Sequence, residues 1–510
     1  MVKPVRLTCL DILRGLAIFG MTLVAIQPGG MPLWMYHAQD PPTGYNPSIP
    51  GITWVDLIYP FFMFSLGAAV PFALTRRLES GVSTPKIIGH VFWRAFLMAI
   101  FALYLGYWYP WGYGASPTDN RWIFWRTLAG FFCLVFFFSR IPGLSDAKDK
   151  TKKVLSILLK ITGLAGIIAL LLTRQQFDSA TGTWINGFDG NGMDWVIYRL
   201  AQSYILASIV WLMTRNKTNL RWGIIALLVG LRLHHDAGGQ LSIHIKEYLS
   251  TESWFQVLIG WIPLYQQPPW AYFAQTFKWL IDPAVYHDTA LIALMGTVFG
   301  DIMFKHQKES SATTSASKIS FFQTAGLLTG LPSLTVIGLI FYFIRRPEMG
   351  LVLSVFIMAG LWFILTKITD DSLKNLLKQL CGYGFLLLTL GYLFDAVGTG
   401  IRKEPSNLSF YFATSGMAFT LLAFLYLLSD YLKWGKTLNW LREAGSNPML
   451  GYIAARHCLF MVMHLTGLAI LLETPVMNNT YLYFGYCFFL TLVGLYFTVW
   501  LTRWKVIMRI

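Results

Sequence analysis

The chain has 510 residues, of which 55% are hydrophobic and 13% charged, and its mean hydropathy is +0.52. This balance excludes an ordinary soluble globular protein and predicts an integral membrane protein. The net charge of +15 is not accompanied by a basic, aromatic face outside the apolar runs, so it does not indicate nucleic-acid binding.

Apolar runs recur along the whole chain, each close to the roughly 20 residues that a helix needs to cross a bilayer. They predict an all-α, polytopic transmembrane bundle of about 12–14 spans, without a separate soluble domain. Basic residues concentrate in alternate loops, which predicts that both termini are cytoplasmic. The expected spans are 10–28, 53–75, 89–109, 124–140, 153–173, 195–213, 220–233, 288–304, 320–344, 349–366, 379–397, 407–429, 446–472 and 480–502.

The first span opens with CLDILRG, which places Asp11 and Arg14 three residues apart on one helix face. Such a pair is either an ion pair within the helix or part of a site for an anionic ligand at the cytoplasmic mouth. Arg94, at the start of the third span, also has two interpretations. Its guanidinium either binds phosphate or extends along the helix to reach the cytoplasm.

The second span begins within PGITWVDLIYPFFMF, which contains Asp56 and Pro60. Because Pro60 lacks a backbone N–H group, we expect the helix to kink or loosen near the carboxylate. The preceding loop, 29–52, must fold back over this end of the span, and it contains one histidine, His37. A histidine beside a carboxylate is a general-base arrangement, and the alternative is an ordinary surface histidine.

The thirteenth span is predicted as one helix over 446–472. In GSNPMLGY at its start, Ser446 or Asn447 is either an N-cap before the proline or a ligand contact. His457 and His464 lie seven residues apart on one helix face, which suits either helix packing or a path for protons or substrate. The five cysteines have no paired spacing, so neither a disulfide framework nor a metal site is expected.

Several of these stretches resemble motifs of one known family, the transmembrane acetyltransferases related to lysosomal heparan-α-glucosaminide N-acetyltransferase. The most specific is GITWVDLIYPFFMFSLGAAVP at 51–71. The others follow in the family's order: LDILRG at 10–15, WMYHA at 34–38, WRAFL at 93–97, IDPAVYHDTALIALMGTVFGDIM at 281–303, KEPSNLSFYFATSGMA at 403–418 and GSNPMLGY at 445–452. The chain departs from the family where QDPPTGYNPSIP intervenes between Ala38 and Gly51.

The resemblance implies a single integral membrane acyltransferase domain over 1–510, located in the inner membrane of a bacterium. Its family-like core is 7–140, 281–305 and 379–472, and a helical hairpin is inserted near 320–366. Carried over residue by residue, the resemblance makes His37 the catalytic base or acyl acceptor, with Asp56 as its neighbour. It implies coenzyme-side roles for Asp11, Arg14, Arg94 and Asn447, and substrate-binding roles for Trp34, Asp282 and Lys403.

The function that the resemblance implies is transfer of an acetyl group across a membrane. Cytoplasmic acetyl-CoA would be the co-substrate and a sugar on the outer side the acceptor, in a homodimer that contacts membrane lipid and needs no metal. The main alternative is a secondary transporter, which many spans with buried charges would also suit, although no duplicated halves are visible. A third interpretation is a scaffold protein of an exopolysaccharide machine that has lost catalysis.

Overall fold

The structure, a computed structural model, describes residues 7–108, 121–140, 150–178, 183–186, 194–237, 289–310 and 319–508. Most of this part is helical, which confirms the predicted all-α fold. Most of the predicted loops 110–123 and 234–287, together with Asp282, and most of the linker 307–318 lie outside the described residues.

The helices are numbered in chain order over the described residues. They are α1 Thr8–Val24, α2 Trp54–Glu79, α3 Thr84–Tyr107, α4 Arg121–Phe138, α5 Lys150–Leu172, α6 Trp195–Met213, α7 Thr218–Asp236, α8 Ala290–Ser310, α9 Phe321–Phe343, α10 Pro347–Thr366, α11 Asp371–Val397, α12 Leu408–Tyr426, α13 Asn439–Gly445, α14 Pro448–Ile453, α15 Phe460–Leu465, α16 Leu468–Glu473 and α17 Thr480–Arg503. Two short antiparallel ladders pair β1 (Ser139–Arg140) with β4 (Ile507–Met508), and β2 (Gln175–Asp178) with β3 (Thr183–Asn186).

Nine helices in the described part of the chain are long and apolar enough to cross a membrane: α2, α3, α5, α6, α9, α10, α11, α12 and α17. This confirms a polytopic helical bundle in an integral membrane protein. Fewer helices qualify than the sequence predicts, partly because α4 is short and because the predicted span 446–472 is broken.

The prediction of one continuous helix over 446–472 is wrong. The chain forms α14, a π-helical segment at Ala454–Leu459, α15 and α16 in succession. Gly467 separates the last two helices with a φ of +76°, a left-handed conformation that glycine adopts without steric cost. Because a π-helical turn contains more residues than an α-helical turn, the regular spacing assumed for His457 and His464 does not hold.

Helix α2 packs against α8 through close backbone contacts at glycine. A Cβ atom on Gly67 would overlap the carbonyl oxygen of Ala293, and one on Gly296 would overlap the carbonyl oxygen of Phe64. Small residues that let backbones approach closely are the common means by which helices associate inside a bilayer. This contact fixes the position of α2 within the bundle.

We expect Gly296→Ala to destabilise the protein by about 1–3 kcal/mol, because the two backbones must move apart to admit the methyl group. Gly382→Ala on α11 is the matched control, since its added Cβ meets no atom within 4 Å. The control should leave stability unchanged or raise it slightly. Thermal unfolding midpoints in detergent measure both effects, and equal midpoints for the two variants would contradict the close contact.

Candidate functional site

His37 and Asp56 lie side by side at the beginning of α2. His37 Nδ1 is 2.6 Å from Asp56 Oδ1. The second carboxylate oxygen accepts hydrogen bonds from two backbone N–H groups, Thr53 at 2.9 Å and Ala38 at 3.2 Å. The Asp56 side chain is fully buried, whereas that of His37 is 32% exposed. The pair therefore combines a fixed internal carboxylate with an imidazole that a ligand can reach.

Local sequence explains why the carboxylate points back to the loop. Asp56 is the third residue of α2, and it bonds the backbone of the preceding Thr53 in the reciprocal manner of a capping box. The Thr53 hydroxyl in turn donates to the carbonyl oxygen of Tyr36 at 2.6 Å, which ties the histidine loop to the helix start. Helix α2 is continuous through Pro60.

The insertion at 39–50 closes on itself and leaves His37 in place. The buried Gln39 side chain donates from Nε2 to the carbonyl oxygens of Ile49 (2.8 Å) and Gly51 (3.1 Å). Its backbone carbonyl oxygen accepts from Asn46 N. Because these bonds join the two ends of the insertion, the added residues project outward and do not separate His37 from Asp56.

Lys403 reaches the same imidazole from a distant part of the chain. Its Nζ lies 3.1 Å from His37 Nδ1 and 3.3 Å from Nε2. The segment that carries it is held by Asp395, whose Oδ1 accepts from Ile401 N at 2.6 Å. Arg345 pairs with the same carboxylate at 3.2 Å. Arg345 lies between α9 and α10, so the hairpin predicted as an insertion helps to position Lys403.

The charges around His37 determine what its ring can do. An ionised Asp56 favours the tautomer that carries its proton on Nδ1, which leaves a lone pair on Nε2. The Lys403 ammonium can donate to Nε2. Glu404 lies 3.2 Å from Lys403 Nζ and offers the ammonium a second partner. In that tautomer, Nε2 is the ring atom available to accept a hydrogen bond or a proton.

A basic cavity of about 540 Å³ lies beside the other end of α2. Its wall includes Arg14 from α1, Arg77 from α2, and His90 and Arg94 from α3. The Arg94 guanidinium also lies 5.0 Å from the centre of the Tyr204 ring. No carboxylate lines this cavity among the described residues. We call it the α2 cavity, and its charge suits an anionic ligand.

The α2 cavity follows one face of the helix toward the histidine. The α2 residues in its wall are Phe62, Leu66, Ala69, Val70, Ala73 and Arg77, which recur at helical spacing. At 1.5 Å per residue, the lining extends for about 22 Å along the helix. It ends six residues, or about 9 Å of helical rise, from Asp56.

The two interpretations of the Asp11 and Arg14 pair both find a counterpart in the structure. The two side chains are 3.5 Å apart, and Arg14 also donates to Ser65 Oγ at 3.1 Å and to the Ser65 carbonyl oxygen at 2.8 Å. These contacts tie α1 to α2. The Arg14 side chain nevertheless forms part of the cavity wall, so a structural bond and a ligand contact are compatible.

Asn447 is buried at the edge of the α2 cavity, between two residues that line it, Ser446 and Pro448. Its amide donates to Thr502 Oγ1 and to the Val506 carbonyl oxygen, and it accepts from Met508 N. The side chain thus binds the C-terminal segment. Asn447 occupies the N-cap position of α14, before Pro448, as one of the sequence-based alternatives predicts, but its side chain makes no hydrogen bond to the start of the helix.

The family assignment follows from comparison with known proteins. A family model described as a domain of unknown function (DUF5009) matches residues 6–263, which is half of the chain. The chain belongs to this DUF5009 family. Both His37 with Asp56 and the α2 part of the cavity lie within the matched residues.

This DUF5009 protein also resembles two curated proteins, which confirms the resemblance identified from its motifs. It is 33% identical to heparan-alpha-glucosaminide N-acetyltransferase of Mus musculus over 93 residues, or 18% of the chain and 13% of the relative. It is 32% identical to the Homo sapiens protein of the same name over 96 residues, or 19% of the chain and 13% of the relative. The matched part thus spans about an eighth of each curated relative.

Three further predicted residues of the DUF5009 protein have different surroundings. Trp34 is 52% exposed in the 3₁₀-helix Leu33–Met35, three residues before His37. His457 is buried, and His464 stacks on Phe124 with 5.1 Å between ring centres. Within the described residues, no three His, Cys, Asp or Glu side chains are grouped as a metal site.

Sequence reasoning missed Arg77 and His90 in the cavity wall and Arg345 behind Lys403. From the sequence, Arg77 and His90 look like ordinary residues of a cytoplasmic loop, because the residues next to them in the chain do not indicate a cavity. Their convergence depends on how α2 and α3 pack. The one available signal for Arg77 was that it forms a basic pair with Arg76 within one helical turn of the end of a predicted span.

Proposed function

We propose that this protein is a membrane-spanning acetyltransferase that uses acetyl-CoA on the cytoplasmic side and a carbohydrate acceptor on the outer side. One observation carries the proposal: α2 has the His37 and Asp56 pair at one end and a basic cavity at the other. From Asp56 to Arg77 the helix rises by about 32 Å. This distance matches the roughly 30 Å hydrocarbon core of a bilayer, which a polar acyl donor does not cross.

The α2 cavity is the proposed site for the donor. Its three arginines and one histidine are suited to coenzyme phosphates, since guanidinium groups bind phosphate oxygens in pairs. Phe62, Leu66 and Met98 provide an apolar wall along which an extended pantetheine arm fits. The arm then directs the thioester toward His37, with Asn447 supporting the cavity through the C-terminal segment that it binds.

The proposed reaction uses His37 as a general base. His37 Nε2 accepts the proton of the acceptor's hydroxyl or amine, whose O or N atom attacks the thioester carbonyl carbon. The tetrahedral intermediate collapses, the C–S bond breaks, and the leaving thiolate takes the proton back from the imidazolium. Asp56 keeps the ring oriented and stabilises its positive charge. Lys403 moves from Nε2 as the acceptor arrives and offers its ammonium to the developing oxyanion.

The acceptor site is proposed at the exposed side of His37. Trp34 and Tyr45 each expose more than half of their surface in the same loop, and their rings offer faces for a sugar. Asp282 is assigned to this side by the resemblance alone. The proposal covers one domain over the whole chain, with the hairpin of α9 and α10 contributing Arg345 to the support of Lys403.

The test is to incubate the protein in lipid nanodiscs with acetyl-CoA labelled in its acetyl group and with a panel of sugars and amino sugars. We expect acceptor-dependent release of coenzyme A and a labelled sugar product. Label that remains on the protein without acceptor would indicate an acetyl-histidine intermediate instead of direct transfer. Absence of both acetyl-CoA binding and labelled product would refute the proposal.

Arg94→Gln should raise the KM for acetyl-CoA by roughly 10- to 100-fold, because hydrogen bonds to a charged group contribute strongly to binding. It should change kcat little, since in the proposal Arg94 contacts the coenzyme and not the reacting atoms. Arg503→Gln is the control: Arg503 is an exposed arginine that pairs with Glu443 and does not line the cavity. An unchanged KM in Arg94→Gln would show that the α2 cavity is not the binding site for the acetyl donor.

One observation favours the transporter alternative. The break at Gly467 makes the last part of the bundle a discontinuous helix, and discontinuous helices form substrate sites in many secondary transporters. Uptake of labelled acceptor sugars into proteoliposomes without acetyl-CoA tests it. Uptake at rates above protein-free liposomes, with no acetylated product, would support transport over transfer.

A further inference from the structure

A second cavity, of about 370 Å³, lies where α2 and α6 end. It is distinct from the α2 cavity, because the α2 residues in its wall are Thr75, Leu78 and Glu79. Both cavities therefore flank the same end of α2. Three basic side chains line the second one: Arg215, just after α6, and Lys305 and Lys308, one turn apart on α8.

Two carboxylates also face this cavity, Glu79 and Asp301. Asp301 is already neutralised, because its Oδ2 accepts from the buried Arg221 at 2.6 Å. Its Oδ1 accepts from the Trp211 indole N–H at 2.9 Å. Asp301 therefore binds the helices to one another and contributes little negative charge to the cavity.

Arg221 explains why the basic side chains converge. Its guanidinium is fully buried and bonds Thr214 at the end of α6 and Thr297 on α8, in addition to Asp301. Because these contacts fix the end of α6 against α8, Arg215 and Lys305 face one cavity. Both side chains are exposed, and neither forms an ion pair with another described residue. Among the described residues, three basic side chains thus face one carboxylate, Glu79, that has no buried counterion, so the net charge of the cavity wall is positive.

We propose that this cavity binds the phosphate of an anionic phospholipid headgroup. The chemistry is that of a basic pocket between helices at the cytoplasmic side of a membrane, where anionic lipid phosphates are concentrated. Trp211 and Phe304 line the same cavity, and aromatic side chains commonly lie at headgroup depth. A free phosphate has the same chemistry, and the test distinguishes the two sources. The inference is independent of the acetyltransferase proposal.

The test is native mass spectrometry of the intact protein released from nanodiscs that contain phosphatidylglycerol and phosphatidylcholine in equal amounts. We expect phosphatidylglycerol to remain bound to the wild type in preference to phosphatidylcholine. The double variant Arg215→Gln/Lys305→Gln should weaken this binding by about 30-fold, since each of the two basic residues contributes roughly fivefold to the affinity for an anionic surface. Arg215→Lys/Lys305→Arg, which keeps both charges, should retain most of it.

The matched control is Lys86→Gln/Lys436→Gln, which removes two exposed lysines outside the cavity and should leave lipid binding unchanged. A thermal unfolding scan checks that every variant is folded, so loss of lipid is not confused with loss of structure. Equal lipid retention by the Arg215/Lys305 double variant and the wild type would overturn the proposal. In detergent without lipid, stabilisation by millimolar inorganic phosphate that the double variant loses would overturn the lipid assignment in favour of a soluble phosphate ligand. The assay measures no turnover, so its result is separate from that of the acetyl-transfer assay.

Discussion

His37→Ala should lower acceptor-dependent acetyl transfer by about 10²- to 10⁴-fold, the range expected when a general base is removed. Binding of acetyl-CoA should be nearly unchanged, because Arg77, one of the proposed phosphate contacts, is about 32 Å of helical rise from the end of α2 at which His37 lies. The measurement is labelled product formed under saturating donor, together with a separate binding titration for the donor. Transfer by His37→Ala at the wild-type rate would exclude the histidine from catalysis.

Asp56→Asn distinguishes the carboxylate's role from that of the histidine. An amide at this position keeps the shape but removes the charge that selects the Nδ1–H tautomer, so kcat should fall while the KM for donor stays constant. The control is Asp40→Asn, because Asp40 is an exposed carboxylate three residues from His37. It should behave as wild type. Equal effects of the two substitutions would show that loop charge, and not the pairing with His37, matters.

Arg221→Met should destabilise the protein by about 3–5 kcal/mol, because it leaves the Asp301 carboxylate without its buried counterion. The three residues that Arg221 contacts are Thr214, in the turn that joins α6 to α7, and Thr297 and Asp301 on α8. Loss of the pair should therefore loosen this whole corner of the bundle. Thermal unfolding in detergent, followed at a fixed scan rate, measures the change.

The control for this substitution is on the same helix. Arg232→Met breaks the pair of Arg232 with Asp236, which is partly exposed, and exposed ion pairs contribute about 0–1 kcal/mol. The double variant Arg221→Met/Asp301→Leu removes both buried charges and should recover part of the stability that the single variant loses. A double variant less stable than Arg221→Met would show that Asp301 has a separate stabilising role.

The fold class could be predicted from the sequence because the hydrocarbon core of a bilayer permits only a few kinds of backbone structure. Only helices or closed barrels satisfy their backbone groups in a bilayer, so long apolar runs indicate helices directly. The interruption of 446–472 could not be predicted in the same way. A π-helical segment and a left-handed glycine leave composition almost unaltered, and the only local sign was Gly467 itself.

The candidate site, too, could be predicted from the sequence only in part. The contact of His37 with Asp56 was predictable, since a carboxylate in the first turn of a helix faces the loop that precedes it. The position of Lys403 against His37 was not, because the two are 366 residues apart and meet through the packing of distant segments. The Arg221 partner of Asp301 was missed for a related reason: a basic residue at the very start of a predicted span is usually a solvent-exposed charge.

The glycine contacts between α2 and α8 have a consequence for permeability. The backbones of α2 and α8 approach each other so closely at Gly67 and Gly296 that no gap separates the two helices there. Under the proposed reaction, these two helices need not separate during turnover, because the group that is transferred is a two-carbon unit at the tip of a flexible arm. If the proposal holds, an acceptor on the outer side is modified without an opening for ions or metabolites between α2 and α8.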